Sequence, residues 1–109
     1  MARWRRRRKP DDKVVTHPIF SYTLKKKTLK VRESSATKHG CSVEEILYAA
    51  THALVDVEEN EDPPKRLLLG FDSQGRLLEL VAEDMSEGYM IIHAMKCRPL
   101  YYGLLTETG

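Results

Sequence analysis

From residue 28 onward the apolar positions follow two different periods, and each predicts a kind of element. Residues 28–32 (TLKVR) alternate polar and apolar, which predicts a strand. Residues 33–39 (ESSATKH) predict a short helix halted at Gly40, a residue suited to the position just past a helix end. Ser42-Val43-Glu44-Glu45 is a capping box, and Val43, Ile46, Leu47, Ala50 and Leu54 then share one face of a helix over 42–53. Residues 54–57 read as a strand entering an acidic, proline-containing turn at 58–64. Residues 66–71, 77–83 and 89–95 read as three further strands, joined at 72–75 and 84–88. Connections this short predict an antiparallel meander. Leu67-Leu68-Leu69 and Met90-Ile91-Ile92 are apolar on both faces, so their strands are expected to be central and covered by helices. Arg98-Pro99 opens a last short helix with Leu100, Leu104 and Leu105 at helical spacing. Upstream, residues 14–24 are β-branched and aromatic, but Pro18 restricts them to a short edge strand at most. Residues 1–13 have no apolar period and read as disordered.

These elements predict an α+β domain over 28–109. A small antiparallel sheet of about four strands carries two helices on one face and a short C-terminal helix. Residues 1–27 precede it as a basic, largely disordered arm. A chain of 109 residues has room for one modest core. No apolar run approaches the roughly 20 residues of a membrane span. The arginine-rich start has no apolar stretch behind it, unlike a secretory signal. A cytoplasmic protein is therefore expected, with Cys41 and Cys97 as reduced, partly buried thiols. Neither cysteine sits in a closely spaced pair, and the four histidines are scattered, so no metal site and no cofactor are expected. Glycine-rich phosphate loops, the H-E-x-x-H signature and the nucleophile elbow are missing from the sequence, which leaves kinase, metalloprotease and hydrolase chemistry without support.

Charge changes the picture more than composition does. Residues 1–30 hold eleven Lys/Arg against two Asp, and residues 31–109 hold seven Lys/Arg against fourteen Asp/Glu. An acidic domain thus follows a cationic arm. The run Arg3-Trp4-Arg5-Arg6-Arg7-Arg8-Lys9, continued by Lys25, Lys26 and Lys27, suits phosphates, with Trp4 able to stack on a base. A solvated tail that aids solubility is the plain alternative.

Candidate chemistry concentrates near the end of the chain. His93, Lys96 and Arg98 fall within six residues, after the last predicted strand has begun. Cleaving RNA through its 2′-hydroxyl needs a base, an acid and a cation for the phosphorane charge. His39 and His93 suit the proton transfers, and Arg98, Lys96 and Lys38 suit the phosphate. Tyr101 is a further donor. Glu79, between Leu78 and Leu80, is a carboxylate among apolar neighbours and needs a partner, for which Arg98, Lys96 and Arg76 are candidates. Its expected role is to orient a basic residue of the site. Structural explanations stand beside each of these. His93 could be a half-buried sheet histidine satisfied by a carbonyl. His39 and His52 could cap helix ends, and Lys38 and Lys96 could be solvated.

Several of these motifs together resemble a known family. Lys38-His39-Gly40, the Ser42-x-x-Glu45 helix, the acidic turn and Gly70-Phe71-Asp72-x-x-Gly75-Arg76-Leu77-Leu78-Glu79 are similar to the BrnT-type toxins of the RelE/ParE-like toxin–antitoxin group. The ending Ile92-His93-Ala94-Met95-x-x-Arg98-Pro99 also resembles small uncharacterised proteins associated with that group. The resemblance covers about residues 28–106. It implies a bacterial, metal-independent endoribonuclease that cuts mRNA and is held inactive by a small antitoxin, usually of the ribbon-helix-helix type. The family's basic cluster after the last strand is represented here by Lys96 and Arg98, followed by Leu100-Tyr101-Tyr102-Gly103-Leu104. That departure, with the acidic charge of 31–109, keeps an alternative open: a non-catalytic module of the same fold that binds nucleic acid or protein.

Overall fold

The computed structural model describes residues 14–20 and 26–107, with side chains from 28 to 106. The elements run β1 (Val14–Phe20), β2 (Lys26–Arg32), α1 (Glu33–Ala36), α2 (Val43–Thr51), β3 (Val55–Glu61), β4 (Pro64–Phe71), β5 (Leu77–Met85) and β6 (Gly88–Lys96). A 3-10 turn, Pro99–Tyr101, then leads into α3 (Tyr102–Glu107). The strands form one sheet in the order β1-β2-β6-β5-β4-β3.

The α+β class and the C-terminal meander match the sequence pattern, since β3 to β6 are consecutive antiparallel neighbours. The sheet is wider than the expected four strands, and it is mixed. β2 lies parallel to β6, with Leu29 opposite Tyr89 and Val31 opposite Ile91. That pairing joins segments about sixty residues apart, which no local pattern encodes. β1 pairs antiparallel with β2 at the outer edge, the position to which Pro18 confines it. β2 begins at Lys26, two residues before the strand expected at residue 28.

Other boundaries moved for local reasons. The helix expected over 33–39 stops at Ala36, and 37–40 form a turn closed by Gly40 N–H donating to the Thr37 carbonyl at 3.1 Å. α2 carries the expected capping box: Glu45 N–H donates to Ser42 Oγ at 3.1 Å, and Ser42 N–H donates to Glu45 Oε1 at 2.8 Å. The acidic turn expected at 58–64 is instead strand through Glu61, because β3 and β4 continue as a hairpin. Its charged residues sit on an exposed edge, where they cost little and discourage pairing with other chains.

Alternation along the strands builds two cores. On one face α1 and α2 cover Leu29, Val31, Leu68, Leu80, Ile91 and Ala94 with Ala36, Ile46 and Ala49. On the other, the C-terminal segment brings Tyr101, Leu104 and Leu105 onto Val55, Leu67, Leu69, Val81 and Cys97. Covering on both faces explains why Leu67-Leu68-Leu69 is apolar throughout. α2 lies so close to β4 that a Cβ on Gly70 would overlap the Ala49 carbonyl oxygen. Gly70→Ala must therefore push the helix off the sheet. The expected outcome is a loss of about 2 kcal/mol or more in urea unfolding, whereas Gly103→Ala, which meets nothing within 4 Å, leaves stability within about 0.5 kcal/mol or raises it.

Candidate functional site

Glu79 lies in β5 on the face that packs against the C-terminal segment, and its exposure is 0%. Three donors from Arg98 satisfy its carboxylate. The backbone N–H and Nε of Arg98 reach Oε1 at 3.0 and 3.1 Å, and Nη2 reaches Oε2 at 2.8 Å. The local sequence explains why Arg98 can do this. Cys97 N–H donates to the Leu77 carbonyl at 2.9 Å, which extends the β5–β6 pairing past the end of the strand. Pro99 then restricts Arg98 to the extended region, where it is found at φ −82°, ψ 147°. Backbone and side chain of Arg98 thereby face Glu79 together. The remaining guanidinium nitrogen, Nη1, has no hydrogen bond among the described residues, and the side chain is 48% exposed.

His93 Nε2 stands 3.3 Å from Glu79 Oε2, so both share one hydrogen. A bulge puts it there. Ala82 pairs with Ile91, yet Val81 pairs with His93, so Ile92 is an extra residue in β6. Without it His93 would oppose Leu80 and point into the helix-covered core. With it, His93 joins Val81 and Glu79 on the other face. His39, in the turn after α1, places its ring 5.4 Å from that of His93 at 70°.

Burial alone would push the Glu79 carboxyl up. The hydrogen bonds from the Arg98 side chain and backbone, the Arg98 charge and the bond to His93 outweigh burial and hold it below the usual carboxylate range. Asp72 behaves alike: burial pushes up, but the Arg76 backbone N–H, the Arg76 guanidinium and Gln74 N–H bring it down. Both cysteines are buried, and burial pushes both thiols up, so neither is a ready nucleophile at neutral pH.

The expected residues thus divide. Glu79, Arg98, His93 and His39 converge. Of the three partners considered for Glu79, Arg98 holds it. Arg76 instead bridges Asp72 and Glu45, tying the 72–75 turn to the start of α2. Lys96 is exposed at the end of β6, opposite Leu78 and therefore on the other face from His93. It borders a cleft of about 560 Å³ that His39 also lines. His39 is outside the helix expected to hold it and makes no capping hydrogen bond among the described residues. His52 does act as a cap: its Nδ1 lies 2.8 Å from the Tyr48 carbonyl oxygen. Tyr101 packs in the second core with Arg98 5.5 Å above its ring. Lys26 and Lys27 belong to β2, while Arg3, Trp4, Arg5, Arg6, Arg7, Arg8, Lys9 and Lys25 lie outside the described residues.

Among the described residues, no group of three His, Cys, Asp or Glu side chains converges as a metal site, and no helix is long and apolar enough to cross a membrane. No protein-family model, curated protein or solved structure matches the chain. Phe71, Arg76 and Tyr102 also line the cleft, although none of them was expected there. Phe71 and Arg76 flank the recognised 72–75 turn, which was the one available signal.

Glu79 and Arg98 make an acid-sensitive clamp. A depressed carboxyl contributes stability that is complete above its unfolded-chain value of about 4.3 and is lost as pH falls through the lower folded value. Glu79→Gln should cost about 2 kcal/mol at neutral pH and flatten the dependence of stability on pH in the acid range. Thermal unfolding from about pH 3 to pH 7 checks both effects. Asp72→Asn should remove its own share of the same slope.

Proposed function

We propose that this protein is the toxin of a bacterial toxin–antitoxin pair, a BrnT-like, metal-independent mRNA endoribonuclease of the cytoplasm neutralised by a small ribbon-helix-helix antitoxin. The observation that supports this reading is the buried Glu79 carboxylate holding Arg98 and His93 in place with a second imidazole, His39, beside them. In this mechanism one imidazole takes the proton of the ribose 2′-hydroxyl as its oxygen attacks the adjacent phosphorus. The other protonates the departing 5′-oxygen. The products are a 2′,3′-cyclic phosphate and a free 5′-hydroxyl. His93, whose Nε2 is engaged with Glu79, exchanges its proton at Nδ1. Arg98 keeps Nη1 for the phosphorane oxygens. Glu79 touches no substrate and acts as a positioning residue.

A second reading is favoured by two observations. Two of the three guanidinium nitrogens of Arg98 are already committed to Glu79, and residues 31–109 carry a large acidic excess. Both fit a non-catalytic module that binds RNA through its arm and a protein through its sheet.

Induced expression in a bacterial host separates the two. On the ribonuclease reading wild type arrests growth and fragments mRNA, and the purified protein cuts RNA with a chelator present. His93→Ala should lower the cleavage rate about 100-fold or more while remaining folded. Harmless wild type with intact mRNA rejects the enzyme in favour of the binding module. The arm makes a separate prediction. Removing residues 1–9, which carry six Lys/Arg, should flatten the log–log dependence of RNA affinity on salt by about 0.7 per lost phosphate contact. An unchanged slope assigns the arm another job.

A further inference from the structure

The cleft between the 72–75 turn, the end of β6 and the start of α3 differs from the rest of the domain in charge. Residues 31–109 hold fourteen carboxylates, yet no carboxylate lines this cleft. Its charged lining is Arg76 and Lys96, with the His39 imidazole beside them. Arg76 is balanced by Asp72 and Glu45, but Lys96 forms no ion pair among the described residues. Two aromatic rings line the same space, Phe71 at 42% exposure and Tyr102 at 46%. Large rings left in water beside an unpaired ammonium suit a ligand with a flat face and a negative charge. The volume of about 560 Å³ lies in the range of pockets that hold small organic groups, roughly 300–1,000 Å³. His39 belongs to both places: it lines the cleft and stands 5.4 Å from His93.

We propose that this cleft is the base subsite for single-stranded RNA, in which a nucleobase stacks on Phe71 or Tyr102 while Lys96 holds the adjoining phosphate and His39 connects that nucleotide to the His93–Glu79–Arg98 cluster. The inference rests on the ribonuclease reading for its substrate, but it concerns binding and is tested apart from cleavage. Stacking is tolerant of sequence because every base has a π face. The subsite therefore selects unpaired RNA over duplex rather than one base over another.

The test is the affinity of the full-length protein for a short single-stranded RNA whose 2′-hydroxyls are methylated, so that it cannot be cut. Fluorescence anisotropy is read at several salt concentrations up to about 0.5 M, where the contribution of the arm is suppressed. Phe71→Leu and Tyr102→Leu keep apolar bulk and delete the π face. Far-UV circular dichroism confirms that both are folded. At least one should weaken binding by about 5- to 100-fold without changing the salt slope, and Tyr102→Phe should retain wild-type affinity. Lys96→Ala should lower the slope by about 0.7. Wild-type affinity in both leucine variants overturns the proposal. The same result with loss of a co-purifying polypeptide overturns it in favour of a protein occupant. Binding that depends on the rings with uncut natural RNA keeps the subsite and rejects the ribonuclease; cleavage with unaltered KM in both leucine variants does the reverse.

Discussion

A carboxylate with no exposure to water, in the middle of a strand, is tolerable only if its lone pairs are filled by groups that bring positive charge or hydrogen. Glu79 is in that position, and the desolvation it suffers is worth several kcal/mol if uncompensated. Arg98 supplies three donors and His93 a fourth. The end of β6, the extended bend at Arg98-Pro99 and the docking of the C-terminal segment all follow from where those donors have to be. The second core depends on the same bend, because Tyr101, Leu104 and Leu105 reach β3 and β4 only when the chain turns there. Glu79 is thus a folding constraint and the organiser of the candidate site in one residue.

The bulge at Ile92 converts that constraint into a site. A strand normally sends neighbouring side chains to opposite faces, and one inserted residue reverses the assignment from there on. Ile91 and Ala94, three apart, are both fully buried beneath the helices, which strict alternation forbids. His93 is released to the face of Glu79, while Lys96 emerges at the cleft on the other side. His39, held by a turn rather than by a helix, spans the two. The His93–Glu79–Arg98 cluster and the cleft therefore occupy adjoining regions, joined by His39.

Electrostatics divides the chain along similar lines. The first thirty residues carry a cationic excess that suits a polyanion, whereas residues 31–109 carry an acidic excess that repels one. A cleft lined by no carboxylate is then a local exception, and its aromatic rings, unlike its charges, offer a contact that salt does not screen. The acidic hairpin formed by β3 and β4 sits at the opposite edge of the sheet from β1.

Much of the fold was legible in the sequence because it depends on near neighbours. The Ser42–Glu45 capping box, the face of α2, the 72–75 turn and the order of the meander each arise from residues within a few positions of one another. Glu79 could be recognised as needing a partner, and Arg98 as one of three, from burial cost alone. Other features depend on contacts between distant segments. The parallel pairing of β2 with β6 has no local signature, and Met90-Ile91-Ile92-His93 does not alternate, so it conceals the bulge that decides where His93 points. The choice of Arg98 over Arg76 was likewise tertiary: Arg76 is held by Asp72 in its own turn and by Glu45 on the helix packed above it. Sequence by itself determined which groups needed partners. Only the packed sheet decided which partners were within reach, because hydrogen bonds are satisfied over about 3 Å of space and not over positions in the chain.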